Sequence, residues 1–128
     1  MSSLRVLHID DETDILELAA ISFGLDSEFE VRGCASGKDG LAAASECPPD
    51  IILLDVMMPT MDGPATFKKL QENPKTAGIP VVFMTARVQT SEIEQFKSQG
   101  IAGVISKPFD PMTLAASVRN YMQSAHTA

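Results

Sequence analysis

The sequence predicts an α/β fold in which a doubly wound parallel sheet of five strands is covered by helices on both faces. Short apolar runs alternate five times with amphipathic stretches, a pattern typical of βαβ units. One run, Ile51–Leu54, is apolar at every position, as in the central strands of parallel sheets. The length of 128 residues fits one domain of common size, and neither a repeat nor a linker divides it. We therefore expect residues 1–128 to form a single domain.

The first strand is predicted at Leu4–Ile9, an apolar run that stops at two aspartates. A helix follows and extends to Leu25, because apolar residues recur there at helical spacing. Thr13 or Asp14 can cap this helix. His8 lies inside the strand, where a place in the core or at a sheet edge is favoured over a chemical role.

The second strand and helix have weaker apolar patterns. Phe29–Cys34 is more polar than the other strands, which places it at an edge of the sheet. Ser36 caps an Ala-rich helix at Gly37–Glu46, and two consecutive prolines end it before the central strand.

The second half of the chain continues the alternation. Pro59 and an Asp-Gly pair indicate a loop over residues 57–62, and the next helix has a proline in its first turn, where proline is tolerated. Gly100 closes the fourth helix. The elements predicted in this half are the helix Pro64–Gln71, the strand Val81–Met84, the helix Ser91–Gln99, the strand Gly103–Ile105 and the helix Met112–Met122.

Negative charge is concentrated in the first half of the chain. Residues 1–64 carry 13 acids and 3 bases, whereas residues 65–128 carry 4 acids and 7 bases, and the whole chain has a net charge of −7. A broad nucleic-acid surface requires clustered Lys and Arg, and so does attachment to anionic lipid. We therefore expect neither nucleic acid nor a membrane as a direct partner.

The remaining sequence features favour a cytoplasmic protein. The apolar runs are far shorter than the ~20 residues that span a bilayer. The N-terminus reaches Asp10 and Asp11 before a secretory apolar region develops. Cys34 and Cys47 cannot form a disulfide framework and lack the partners of a zinc site, so we expect two buried free thiols.

Polar side chains follow four of the predicted strands, at the edge where ligands bind in doubly wound sheets. Taken singly, an acidic pair often only favours a helix N-terminus, and a lysine before a proline can be an ordinary turn residue. Together they would bring three carboxylates, a hydroxyl and an ammonium into one pocket. The residues are Asp10 and Asp11 after the first strand, Asp55 after the third, Thr85 after the fourth, and Ser106 and Lys107 after the fifth.

The chemistry of such a pocket follows from its charge. Three carboxylates within a few ångströms repel one another, and a hard divalent cation relieves this repulsion. Mg²⁺ suits a site made of carboxylates, waters and a substrate phosphate. Lys107 can offer a positive charge to a phosphoryl oxygen, and Thr85 a hydroxyl donor. A carboxylate can then act as in-line nucleophile, and Asp55 is the candidate because it ends the central strand.

These residues match a known family. Their order, together with the loop DVMMPTMDG (Asp55–Gly63) and the run KPFDP (Lys107–Pro111), closely resembles the receiver domain of bacterial two-component response regulators. The resemblance extends from about Leu4 to Met122. It implies a flavodoxin-like three-layer sandwich with strand order 2-1-3-4-5.

The resemblance also implies the chemistry of the acidic residues. Asp55 would accept a phosphoryl group from a phosphohistidine on a sensor histidine kinase or a phosphotransfer protein. Asp10, Asp11 and Asp55 would bind Mg²⁺, with the backbone carbonyl of Met57 as a further ligand. The phosphorylated domain would then switch a surface that binds a downstream protein target.

The resemblance assigns the remaining pocket residues to phosphate binding and switching. Thr85 and Lys107 would hold the phosphoryl oxygens, and the Lys107–Pro108 peptide bond would be cis. The family often has an aromatic switch residue three positions before the lysine, but here that residue is Val104, which has little reach. We therefore expect the threonine half of the switch without the aromatic half.

Two flanking positions bear on how long the phosphoryl group persists. Arg87 follows Thr85 by two positions, and Met57 follows Asp55 by two. Neither side chain can position a hydrolytic water as a carboxylate or an amide can. The sequence therefore predicts slow self-dephosphorylation.

Several functions remain open at this point. The favoured one is a stand-alone phosphorylation switch, a monomer or weak dimer that is not an enzyme in its own right. The alternative is the N-terminal regulatory part of a longer regulator with a DNA-binding or enzymatic output domain. A Mg²⁺-dependent phosphatase is disfavoured, because such enzymes carry a general acid at the position of Met57. A flavin-binding protein is disfavoured because the acidic segment after the first strand repels phosphate.

Overall fold

The structure is a computed structural model that describes residues 3–86 and 89–127. Within these residues, five strands alternate with five helices. The strands are β1 (Leu4–Ile9), β2 (Phe29–Cys34), β3 (Ile51–Asp55), β4 (Val81–Thr85) and β5 (Gly103–Ser106). The helices are α1 (Thr13–Gly24), α2 (Gly37–Glu46), α3 (Gly63–Glu72), α4 (Thr90–Ser98) and α5 (Leu114–Thr127).

The strands form one parallel sheet in the order β2-β1-β3-β4-β5, which confirms the predicted fold class and topology. The apolar strand β3 lies at the centre, where all five of its residues are buried. The more polar β2 lies at one edge, as its composition predicted. Among the described residues, no helix has both the length and the apolar character needed to cross a membrane.

Helices cover both faces of the sheet because side chains alternate along each strand. In β1, Val6 packs into a core with α1 and α5, represented by Phe23 and Val118. The next residue, Leu7, packs into a second core on the opposite face with α2 and α3, which includes Phe67. Both faces of the sheet are thus covered by apolar side chains, and most of the buried polar side chains of the strands lie at or near the carboxyl ends.

The start of α1 differs from the prediction. Its N-cap is Glu12 rather than Thr13 or Asp14, and no side chain makes the capping hydrogen bond. The Asp10 carboxylate instead accepts a hydrogen bond from the Glu12 amide at 2.9 Å, which fixes the chain one residue before the predicted cap. The residues that resemble a cap are therefore already helical.

The predicted bounds of α5 were also wrong. The helix begins at Leu114 rather than Met112, because the Asp110 side chain accepts a hydrogen bond from the Met112 amide and holds a turn there. The same helix continues to Thr127, beyond the predicted end at Met122. The two prolines of this region lie before the helix and do not interrupt it.

The two cysteines are free thiols, but only one is buried. Cys34 ends β2 and faces the core, whereas Cys47 is the exposed C-cap residue that follows α2. The Arg5 guanidinium donates to the Cys47 sulfur at 2.9 Å. The prediction of two buried thiols was therefore wrong for Cys47, because the helix ends at the surface.

Candidate functional site

The carboxyl ends of four strands meet at one edge of the sheet and bring the predicted site residues together. Asp55 and Thr85 are the last residues of β3 and β4. Asp10 and Lys107 come directly after β1 and β5. The parallel register explains this convergence, since Ile9 pairs with the residue before Asp55 in the neighbouring strand.

Three carboxylates form the acidic part of this site. One oxygen from each of Asp10, Asp11 and Asp55 lies within 4.8 Å of the others. Asp10 and Asp55 are buried, at 0% and 3% exposure, whereas Asp11 is exposed. Each of the three carboxylates can offer an oxygen to a hard cation.

Lys107 neutralises the buried pair. Its ammonium nitrogen lies 2.9 Å from Asp10 Oδ2 and 3.2 Å from Asp55 Oδ1. Burial acts to lower the pKa of Lys107, but the contacts with Asp10 and Asp55 outweigh it, and the net pKa is raised. Lys107 is therefore a fixed positive charge between the two carboxylates at neutral pH.

Asp55 is the buried carboxylate that ends β3. Its Oδ1 accepts a hydrogen bond from the Met57 amide at 3.3 Å and contacts Lys107. Its Oδ2 is buried and has no hydrogen-bond partner among residues 3–86 and 89–127. Burial, followed by the negative charge of Asp10, raises the pKa of Asp55 to about 6 although Lys107 opposes the shift. The ionised form of Asp55 therefore predominates at pH 7, and one oxygen of the carboxylate has no hydrogen-bond partner in the described part of the chain.

A pocket of about 350 Å³ opens in front of Asp55. Thr85 is buried at 7% exposure and forms part of the lining, and its carbonyl accepts a hydrogen bond from the Lys107 amide at 2.9 Å. The Lys107–Pro108 peptide bond is cis, as the family resemblance implied. The lining residues are Glu12, Ile15, Asp55, Met57, Thr85, Ala86, Lys107 and Pro108.

Three further positions were predicted to flank the pocket: Met57, Val104 and Arg87. The Met57 side chain is 74% exposed at the mouth of the pocket. Val104 lies in the edge strand β5 and is half-buried against the core. Arg87 lies outside the described residues.

Comparison with known protein families identifies this arrangement. A model of the response regulator receiver domain matches residues 6–119, which includes every strand end that contributes to the pocket. The chain belongs to the response regulator receiver domain family. This receiver domain is therefore a component of two-component, phosphorelay signal transduction.

Individual relatives support the same assignment. The chain is 41% identical over 120 residues to the response regulator PleD of Caulobacter vibrioides, covering 92% of this chain and 26% of that protein. It is 35% identical over 115 residues to the DNA-binding dual master transcriptional regulator RpaA of Synechocystis, covering 90% and 47%. The receiver domain thus spans about half or less of the length of these two curated relatives.

A solved structure shows the same fold across the chain. The chemotaxis response regulator CheY4 of Vibrio cholerae superposes with a TM-score of 0.85 at 28% identity. The superposition covers 94% of the receiver domain and 99% of the CheY4 chain. The structural similarity therefore covers nearly the whole chain and is not limited to the pocket residues.

Sequence reasoning missed several contacts within the pocket of the receiver domain and on the elements that surround it. Glu12 lies 3.6 Å from Lys107, and only its place after two aspartates could have suggested this. Gly63 was interpreted only as a turn residue, yet a Cβ atom there would lie 2.6 Å from the Asp55 carbonyl oxygen. The Tyr121 hydroxyl of α5 donates to the Val104 carbonyl at 3.1 Å, so an aromatic ring from a helix lies against the strand that lacks one.

Proposed function

We propose that this receiver domain accepts a phosphoryl group on Asp55 from a phosphohistidine of a sensor histidine kinase or phosphotransfer protein, in a Mg²⁺-dependent reaction. The observation that carries the proposal is the convergence of three carboxylates and Lys107 in front of a buried, unsatisfied Asp55 oxygen. In the reaction, an Asp55 oxygen forms a bond to phosphorus while the bond to the donor nitrogen breaks. The histidine nitrogen keeps that electron pair.

The donor set fits Mg²⁺. Three carboxylate oxygens within 4.8 Å of one another carry more negative charge than the one lysine balances. Asp10, Asp11 and Asp55 would hold the ion, together with the backbone carbonyl of Met57. When bound, Mg²⁺ neutralises charge on the transferring phosphoryl group.

Two further residues stabilise the phosphoryl oxygens. The Lys107 ammonium is already within 3.2 Å of Asp55, so it contacts a group transferred to that side chain without leaving the pocket. Thr85 belongs to the pocket lining on the neighbouring strand and can supply a hydroxyl donor. We propose that Thr85 is the moving element that transmits phosphorylation to a surface that binds a downstream protein. Val104 and Pro108 are the flanking positions of this switch, together with Arg87, which follows Thr85 by two positions in the sequence.

The domain acts as a signalling switch and is not an enzyme for other substrates. The pocket has no free general acid two positions after Asp55, where Met57 lies, which supports this distinction from aspartate phosphatases. We place the domain in the cytoplasm as one phosphoacceptor unit over residues 1–128, a monomer or weak dimer. Its two free cysteines suit that compartment.

A second proposal concerns the context of the domain. The greater lengths of PleD and RpaA favour a receiver domain that regulates an output domain, either DNA-binding or enzymatic. Immunodetection in the source cell separates the two proposals. A band at the mass of the 128-residue chain supports a stand-alone switch, and a band at least twice that mass supports the longer regulator.

Acetyl phosphate with Mg²⁺ tests phosphorylation directly. We expect intact-mass measurement to detect one phosphoryl adduct on the wild-type domain and none when a chelator replaces Mg²⁺. The adduct disappears in Asp55→Ala and persists in Asp50→Ala, which removes a carboxylate from the opposite end of the sheet. Absence of an adduct on the wild type, with Mg²⁺ and chelator samples alike, contradicts the proposed function.

Slow loss of the phosphoryl group is the second expectation. We expect Met57→Asn to shorten the lifetime of the phosphorylated domain severalfold, because an amide at the pocket mouth can orient a water toward phosphorus. Met112→Asn is the matched control, since Met112 is 80% exposed and does not line the pocket. Decay is followed by intact mass after removal of acetyl phosphate. A wild-type lifetime equal to that of Met57→Asn would show that Met57 does not limit hydrolysis.

A further inference from the structure

His8 is the most unusual buried residue outside the described chemistry. It is the fifth of the six residues of β1, between Gly33 of β2 and Leu53 of β3, and its side chain is fully buried. Neither ring nitrogen has a hydrogen-bond partner in the described part of the chain. Buried polar groups nearly always have a partner, so a buried imidazole without one requires an explanation.

The position of His8 relative to the acidic pocket supplies that explanation. Its Nε2 lies 4.0 Å from Asp10 Oδ2, and a shift of about 1 Å would bring the two atoms into hydrogen-bond distance. Since side chains two positions apart share a face of a strand, the ring lies directly beneath the Asp10 carboxylate. His8 thus contacts the pocket from inside the core.

The Asp10 carboxylate is held from its other sides by two groups. Its Oδ1 accepts a hydrogen bond from the Glu12 amide at 2.9 Å, and its Oδ2 contacts the Lys107 ammonium at 2.9 Å. Lys107 also contacts Asp55, so its one positive charge is shared between the two carboxylates. A neutral donor beneath Asp10 does not compete with a cation for the carboxylate.

The imidazole ring is suited to this role because its nitrogens are buried and have no other hydrogen-bond partner among residues 3–86 and 89–127. A neutral imidazole has one N–H donor and one acceptor nitrogen. With the proton on Nε2, it donates to a carboxylate without adding charge to the pocket.

We propose that His8 is a positioning residue for the metal pocket. When the 4.0 Å gap between His8 Nε2 and Asp10 Oδ2 closes, the Nε2–H donates to that oxygen and holds the carboxylate in the orientation that binds Mg²⁺. Groups that hydrogen-bond to metal ligands typically change metal affinity by 10- to 100-fold when they are removed. The inference rests on the proposed function, because it takes Asp10 as a Mg²⁺ ligand. It goes beyond that function by assigning a role to a residue inside the core.

Mg²⁺ titration of the purified domain tests the inference without measuring phosphorylation. Binding is followed by calorimetry and by backbone amide shifts at the pocket. We expect His8→Leu to weaken Mg²⁺ binding by about 10-fold or more, because it removes the donor and keeps the site apolar. His8→Gln keeps an N–H donor near the position of Nε2 and is expected to stay within threefold of the wild type. A wild-type Mg²⁺ affinity in His8→Leu overturns the inference.

Leu53→Val serves as the control for core packing. It alters a buried neighbour of His8 on β3 and leaves every polar group in place. We expect it to lower the midpoint of thermal unfolding and to leave Mg²⁺ affinity unchanged. If Leu53→Val weakens Mg²⁺ binding as much as His8→Leu does, the effect is one of packing and the inference is wrong.

Imidazole NMR of the wild type provides a measurement that needs no variant. The chain has only two histidines, so the ¹⁵N signals are readily assigned with His126 as the second. We expect the His8 proton on Nε2, with a ¹⁵N shift that moves on Mg²⁺ addition. A proton on Nδ1, or signals that do not respond to Mg²⁺, overturns the inference.

The results separate this inference from the proposed function. A wild-type domain that neither binds Mg²⁺ nor accepts a phosphoryl group contradicts the proposed function. A wild-type domain that does both, together with a His8→Leu variant that binds Mg²⁺ equally well, contradicts only the role of His8.

Discussion

Asp55→Asn is expected to abolish phosphorylation and, at pH 7 without Mg²⁺, to raise the free energy of unfolding by up to about 3 kcal/mol. The expected gain follows from the raised pKa of Asp55, which burial and the charge of Asp10 shift from 3.8 to about 6. Each pKa unit corresponds to about 1.4 kcal/mol between the two protonation states. Asparagine is close in shape to the protonated form, so it removes the cost of the buried charge.

The raised pKa of Asp55 also sets how the stability gain of Asp55→Asn depends on pH. Between pH 3.8 and about 6, the folded protein binds more protons at Asp55 than the unfolded chain does. The contribution of Asp55 to the free energy of unfolding therefore falls as pH rises through this window. The difference between Asp55→Asn and the wild type should be absent below pH 3.8 and complete above about pH 6.

Urea unfolding at several pH values in chelator measures this difference. Glu94→Gln is the control, because it removes a carboxylate from an exposed position on α4 and should change the free energy of unfolding by less than about 0.5 kcal/mol. Mg²⁺ should reduce the advantage of Asp55→Asn, since a bound cation stabilises the wild-type fold by mass action. If Asp55→Asn is less stable than the wild type at pH 7 in chelator, the buried charge of Asp55 does not destabilise the fold and the prediction is wrong.

Gly63→Ala is expected to destabilise the domain by about 3 kcal/mol and to slow phosphorylation. A Cβ atom at Gly63 would lie 2.6 Å from the Asp55 carbonyl oxygen and 2.8 Å from Val56 Cα. Both are backbone atoms, so no side chain can rotate away. The junction between β3 and α3 must shift instead, and Asp55 shifts with it.

Gly24→Ala is the matched control for this substitution. Gly24 is the last residue of α1, and no neighbouring atom lies within 4 Å of an added Cβ. Alanine favours helix by up to about 1 kcal/mol over glycine, so this variant should be as stable as the wild type or more stable. Thermal unfolding and acetyl phosphate labelling of both variants provide the measurement. Equal stability of Gly63→Ala and Gly24→Ala would show that the β3–α3 junction adapts to the extra atom.

The fold was predictable because its signal is periodic and local. Runs such as Ile51–Leu54 are apolar throughout, and only a strand covered on both faces gives every position a buried environment. Ser36 was predicted as a cap, and its side chain accepts the Asp39 amide at 3.1 Å. Predictions were less accurate where distant or competing groups decide the local structure, as at Glu12, where a carboxylate from the preceding strand end takes the place of a cap.

The sequence was sufficient to predict which residues lie together in the candidate site. Chain order placed Asp10, Asp55, Thr85 and Lys107 after strands, and the parallel sheet brings all strand ends to one edge. Distances and burial could not be predicted in this way. Whether a carboxylate at a strand end is exposed, as Asp11 is, or buried depends on elements that are far away in sequence.

The sequence by itself determined the architecture and the membership of the acidic pocket, since both depend on residue type, spacing and chain order. Only the tertiary structure decided that the pKa of Asp55 is raised to about 6, that Gly63 contacts the backbone beside Asp55, and that His8 lies beneath Asp10. These properties depend on the distance between atoms from separate elements. Packing sets those distances, because a shift of 1 Å decides whether a buried group has a partner.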